Sequence, residues 1–200
     1  MERNIITISG PSAVGKSFFV DSIKDNFPNI REIIGLTTRP IREGEINGKS
    51  GIFMTIPEMN ELEANNKLVL VKEFFGNKYA WYKDDLTNSD EYRIVNISYN
   101  SIQELLDMKL NIYSIFIKPG SEEKLKELLK NRSLTEEEFE KRITGYYESM
   151  DFLNRSQNLF NLVFTNNYDN SSKEKMLSIF QGILSEDNTN NKHVNKLVLK

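Results

Sequence analysis

Residues Gly10, Pro11, Ser12, Ala13, Val14, Gly15, Lys16 and Ser17 form the pattern G-x-x-x-x-G-K-S, whose residue types suit a loop that wraps a polyphosphate. Glycines let the backbone turn tightly and bring its N–H groups close to an anion. Lys16 can reach the outer phosphates as a point charge, and the Ser17 hydroxyl can sit on Mg²⁺. A helix that starts inside the loop aims the positive end of its dipole at the same anion. Further along, Arg39 and Arg42 lie in the segment Thr37-Thr38-Arg39-Pro40-Ile41-Arg42-Glu43-Gly44-Glu45. Two guanidinium groups at that spacing in a structured loop can clamp a phosphate through bidentate hydrogen bonds.

Such a loop needs a strand before it and a helix after it. Asn4 to Ser9 is a β-branched apolar run that suits a buried strand, and Phe18, Phe19, Ile23 and Phe27 can line one side of a helix that Pro28 stops. Strands are then expected over 30–36, 92–98, 111–117 and 161–165, with helices between them. Thr55 with Glu58 opens a short helix as a capping box. Ser121 caps another, and Thr135 starts a longer one carrying Phe139, Ile143, Tyr146, Met150 and Leu153 at helical spacing. Alternation of this kind predicts a three-layer α/β/α fold with a five-stranded parallel sheet, the ligand at the C-terminal strand edge. Between them, Gly51 to Met54, Leu68 to Phe75 and Lys78 to Tyr82, with Gly76-Asn77 as a hairpin turn, mark a small strand-rich insertion. The expected organisation is a core of residues 1–36 and 84–184, with a lid at about 130–142. An insertion at 37–83 and a mobile polar tail at 185–200 complete it.

Composition narrows the chemistry. The chain has 200 residues, no cysteine and one histidine, His193 in the polar tail. Thiolate catalysis, cysteine metal sites, histidine clusters and a Ser-His-Asp triad are all excluded. A net charge of −3 gives no general attraction to nucleic acid or to acidic membranes. No run is apolar enough to span a bilayer and no signal-peptide pattern is present, so a cytoplasmic protein is expected.

Taken together, GPSAVGKS, TTRPIREGE, FGNKY and NRSLTEEEFEKR occur in an order that resembles the guanylate kinases, over roughly residues 4–184. The resemblance implies an ATP-dependent nucleoside monophosphate kinase that uses Mg²⁺ and passes the γ-phosphate to GMP or another mononucleotide. It implies that Gly10, Ser12, Ala13, Val14, Gly15, Lys16 and Ser17 hold the ATP phosphates, with Asn166 beside the adenine. Arg39, Arg42 and Tyr79 would hold the acceptor phosphate. Arg132 and Arg142 would close over the moving phosphoryl group as lid arginines.

The base-reading half departs from that pattern. A serine, a glutamate, a small hydroxyl residue and an aspartate in the family correspond here to Gly35, Leu70, Trp81 and Asn96. An acceptor-phosphate tyrosine becomes Gly51, and a carboxylate associated with the water ligands of Mg²⁺ becomes Ser98. Phosphate-binding groups survive while guanine-edge partners do not, which removes the discrimination a polar edge supplies. Two alternatives stay open: a kinase for a different phosphorylated small molecule, and a non-catalytic module of the same fold that binds a partner protein.

Overall fold

The computed structural model describes residues 4–74, 76–87, 91–132 and 134–197, with the backbone alone for 186–197. In chain order, β1 (Ile5–Ser9) feeds the phosphate-type loop and α1 (Lys16–Asn26) leaves it. Next come β2 (Ile30–Ile33), β3 (Leu36–Thr37), β4 (Ile52–Phe53), α2 (Ile56–Ala64), β5 (Leu68–Phe74), β6 (Asn77–Tyr82) and α3 (Lys83–Thr87). The second half holds β7 (Tyr92–Asn96), α4 (Ile102–Asp107), β8 (Ile112–Pro119), α5 (Glu122–Lys130), α6 (Glu136–Ser156), β9 (Leu162–Asn166) and α7 (Asn170–Leu197).

Five strands form one parallel sheet in the order β2-β7-β1-β8-β9. Successive side chains of a strand face opposite ways, and the sequence exploits this. Ile6, Ile8, Ile94, Ile115 and Ile117 pack with Phe19, Ile23, Met176 and Phe180 of α1 and α7. Their neighbours Ile5, Val95, Ile112 and Phe116 pack on the other face with Ile102, Leu105 and Leu153 of α4 and α6. Three layers result, and each fully buried large apolar side chain contributes about 1.5–3 kcal/mol. Because β1 is central, its C-terminal loop opens between the ends of β7 and β8.

A second sheet has the order β4-β3-β6-β5. The continuous strand expected over 30–36 is therefore two pieces in two sheets. Ile34 and Gly35 leave the parallel sheet, and Leu36 pairs with Ile52 and Ala80 instead. The expected capping box forms, Thr55 accepting from the Glu58 N–H, and Thr135 makes a second one with Glu138. Strand β8 runs on to Pro119, past the expected stop at 117, because its neighbour β9 pairs with it as far as Asn166. Helix α7 also continues beyond Ser185, where sequence periodicity is lost, to Leu197. His193 and the other side chains of that final stretch lie outside the described residues, as do Phe75 and Ser133.

Sheet and loop meet at close quarters. A Cβ on Gly10 would lie 2.2 Å from the main-chain oxygen of Ile117 on β8, and Gly10 has φ +141°. Gly10→Ala is therefore expected to cost about 2 kcal/mol or more. Thermal denaturation would read this as a Tm fall of about 4–8 °C; an unchanged Tm would refute the close approach.

Candidate functional site

The loop after β1 is shaped by three residues of positive φ: Gly10 at 141°, Ala13 at 62° and Gly15 at 90°. Left-handed backbone at these places turns successive N–H groups toward one concavity, the geometry that binds anions. Gly15 is also the N-cap of α1, so the helix's unpaired N–H groups open onto the same space.

Lys16 folds back over the loop, its Nζ donating to the carbonyls of Gly10 at 2.9 Å and Pro11 at 2.7 Å. Burial lowers its pKa to about 8, and the neighbouring guanidinium groups of Arg132 and Arg142 push it the same way. Arg142 comes from α6 and donates to the Ser12 hydroxyl at 2.8 Å. Its own pKa is lowered by burial first, then by the charges of Arg42 and Arg132. Four cations from four separate stretches thus feel one another across the loop.

Asn166, at the end of β9, is 4% exposed. Its Nδ2 donates to the Val14 carbonyl at 3.0 Å, and its Oδ1 accepts from the Tyr168 N–H at 2.8 Å. The amide thus holds the loop from beneath. Gly15 is glycine partly for the same reason, since a Cβ there would sit 2.8 Å from Asn166 Nδ2.

A cleft of about 440 Å³ runs from Ser17, Asp21 and Lys24 of α1 across Gly35, Thr37, Arg39, Glu45 and Tyr79 to Trp81 and Asn96. Arg39, Arg42, Tyr79, Glu138, Lys141 and Arg142 line an adjoining cavity of about 420 Å³ between the Thr38–Glu45 loop and α6. Arg39 and Tyr79 therefore border both spaces, and Arg42 borders the second.

Arg39 is held by a residue whose role the sequence reading did not single out. Its two terminal nitrogens donate to the two Glu45 carboxylate oxygens at 2.7 and 2.6 Å, and its guanidinium lies 5.0 Å over the Phe53 ring. Those hydrogen bonds keep Glu45 well below the usual carboxylate range and raise Arg39. Glu45 also accepts the Arg42 backbone N–H at 2.8 Å. A planar carboxylate thus occupies the fork to which a phosphate would bind. The signal was legible in principle, as an acid three residues beyond the second arginine.

Of the base-end positions, Gly35, Trp81 and Asn96 line the cleft. A Cβ on Gly35 would meet the Trp81 ring at 3.3 Å, so glycine leaves room for the indole. Leu70 does not line the cleft. It is 2% exposed and packs in the same core cluster as Trp81, Leu86 and Val95. The cause is an irregularity in the β5–β6 register between Val69 and Lys72, with Leu70 at φ +54°. That break also ends the simple strand alternation, and Lys72 ion-pairs with Glu104 of α4 at 2.5 Å.

Among the described residues no helix is long and apolar enough to cross a membrane. The guanylate kinase family model matches residues 2–185. A guanylate kinase of Mycoplasmoides gallisepticum is 34% identical over 67% of this chain and 71% of its own length. That of Blochmanniella floridana is 32% identical over 64% of this chain, which spans 63% of that relative's length. The guanylate kinase of Hydrogenovibrio crunogenus is 26% identical over 90% and 88% of the two chains. The crystal structure of guanylate kinase from Anaplasma phagocytophilum shares the fold, with TM-score 0.69 at 22% identity, over 93% of this chain and 87% of that one.

The lowered Lys16 pKa has a measurable sign. A bound polyanion favours the charged amine, so binding must draw in a proton wherever free Lys16 is partly neutral. With a pKa of about 8, ATP binding at pH 8 is expected to take up about half a proton, and almost none at pH 6.5. Calorimetry in buffers of different ionisation enthalpy measures this. Lys16→Met should abolish the uptake; an unchanged uptake in that variant would assign the proton to another group.

Proposed function

The chain belongs to the guanylate kinase family, and we propose that it transfers the γ-phosphate of ATP to a nucleoside monophosphate, with GMP the first acceptor to test. What carries this reading is the convergence of Lys16, Arg132, Arg142 and Arg42 around one loop, with Arg39 and Tyr79 bordering both adjoining cavities. Two anionic reactants brought end to end need positive charge at the donor, at the acceptor and at the group in flight.

Each stretch then has its task. The loop N–H groups and Lys16 hold the donor phosphates. Arg39, Arg42 and Tyr79 hold the acceptor phosphate, Glu45 yielding part of the Arg39 fork. An acceptor phosphate oxygen bonds to the γ-phosphorus as the bond from that phosphorus to the β,γ-bridging oxygen breaks, releasing ADP. Arg142 and Arg132 balance charge on the transferring oxygens and, with the α5–α6 segment, exclude water. Lys16 leaves the Gly10 and Pro11 carbonyls for the phosphates, exchanging weak acceptors for strong ones.

Mg²⁺ fits this donor set. Ser17 presents an exposed hydroxyl at the head of the cleft, and a hard cation takes oxygen ligands, most of them from phosphates and water. When bound, the ion would neutralise charge between the outer phosphates, with Ser17 its protein ligand.

The aromatic base end favours a second reading, in which the acceptor is a phosphorylated molecule other than GMP. Trp81, packed against Gly35, lines this end with an aromatic ring where the family pattern has a hydroxyl. A coupled assay of ADP formation against a panel of ribo- and deoxynucleoside monophosphates separates the two. Turnover with a mononucleotide is expected; ATP binding with no turnover on any of them would overturn the mononucleotide kinase reading. Lys16→Ala should lower kcat at least about 100-fold. Arg39→Ala should raise the acceptor KM about tenfold or more while the ATP KM stays put; equal acceptor KM in both proteins would move the acceptor clamp elsewhere.

A further inference from the structure

Three carboxylates line the large cleft, those of Asp21, Glu32 and Glu45. Two are committed. Glu32 accepts from Lys24 Nζ at 2.5 Å, and Glu45 is spent on Arg39. Asp21 makes no hydrogen bond or ion pair among the described residues, and its side chain is exposed. It is the carboxylate of this cleft still free to accept.

Its position on α1 gives it an address. Asp21 follows Ser17 by four residues, so the two share a helix face with Cβ atoms about 5–6 Å apart. Helical side chains lean toward the N-terminal turn, which tips Asp21 toward the Ser17 end of the cleft. Lys24, a turn further on, is turned aside to Glu32. Thus the polar stripe Ser17–Asp21–Lys24 reads as hydroxyl, free carboxylate and occupied cation.

A hard divalent ion at Ser17 would keep several waters, and those waters donate hydrogen bonds that need acceptors. Much of the surrounding machinery donates instead: Lys16, Arg39, Arg42, Arg132 and Arg142. At the end of β7 the available side chains are Asn96 and Ser98, neither of them acidic. We propose that Asp21 is the positioning residue for the metal's water shell, accepting hydrogen bonds from waters on the ion that Ser17 ligates. The carboxylate comes from the helix after the loop, not from the strand end beside it. This rests on the ATP-dependent reading above.

The test uses Mn²⁺, which is visible to electron paramagnetic resonance, added to the full chain with a non-hydrolysable ATP analogue. Asp21→Asn is nearly isosteric at an exposed site and should leave Tm almost unchanged. It is expected to weaken Mn²⁺ in the ternary complex about 10-fold or more, leaving metal-free nucleotide affinity in EDTA as it was. Asp21→Glu should recover part of the loss. Mn²⁺ affinity within twofold of the parent chain in Asp21→Asn would overturn the proposal, as would a raised acceptor KM with metal affinity intact. If the parent chain with nucleotide holds no Mn²⁺ at all, the metal-dependent reading itself fails, which is a distinct result.

Discussion

Like charges held together without enough counter-charge are the condition on which this cleft depends. Lys16, Arg42, Arg132 and Arg142 oppose one another across the loop, and the scaffold has to absorb that opposition. It does so by pulling Lys16 onto two carbonyls and tying Arg142 to Ser12, while burial adds to the cost of the charges. Such a site is at its least comfortable when empty. Binding an anion relieves the repulsion, so some of the binding free energy is stored beforehand in the fold.

Storing it demands a rigid base. The loop is fixed at three points: by the contact of Gly10 with Ile117, by the position of Gly15 at the head of α1, and by the Asn166 amide under Val14. These reach into β8, α1 and β9. The parallel sheet therefore does more than present the loop; its two strands on one side of β1 hold the loop's shape. Each anchor uses main-chain atoms or a buried amide, groups that leave little room for movement.

The alternation of strands and helices, the Thr55 capping box and the phosphate loop were legible because each rests on local chemistry over a few residues. Ile5 and Ile6, or Ile115 and Phe116, point to opposite layers simply because strands have period two. What escaped was non-local. The switch of sheets at Gly35 depends on Leu36 pairing with Ala80, a partner distant in the chain. Leu70 was assigned by aligned position to the acceptor site, yet a register break turned it into the core. The hydrogen bond from Asn166 to Val14 is known only once β9 lies beside β8. Glu45 sat inside the quoted motif, and only folding revealed that its carboxylate fills the Arg39 fork.

The contact between Gly35 and Trp81 has a consequence for how this lineage can change. A side chain at 35 meets the indole at once, while shrinking Trp81 alone opens a hole against Leu70 and Leu86 in their shared cluster. The first tightens the contact and the second loosens it. The two positions are thus sterically coupled, and the effects of changing them are not expected to add.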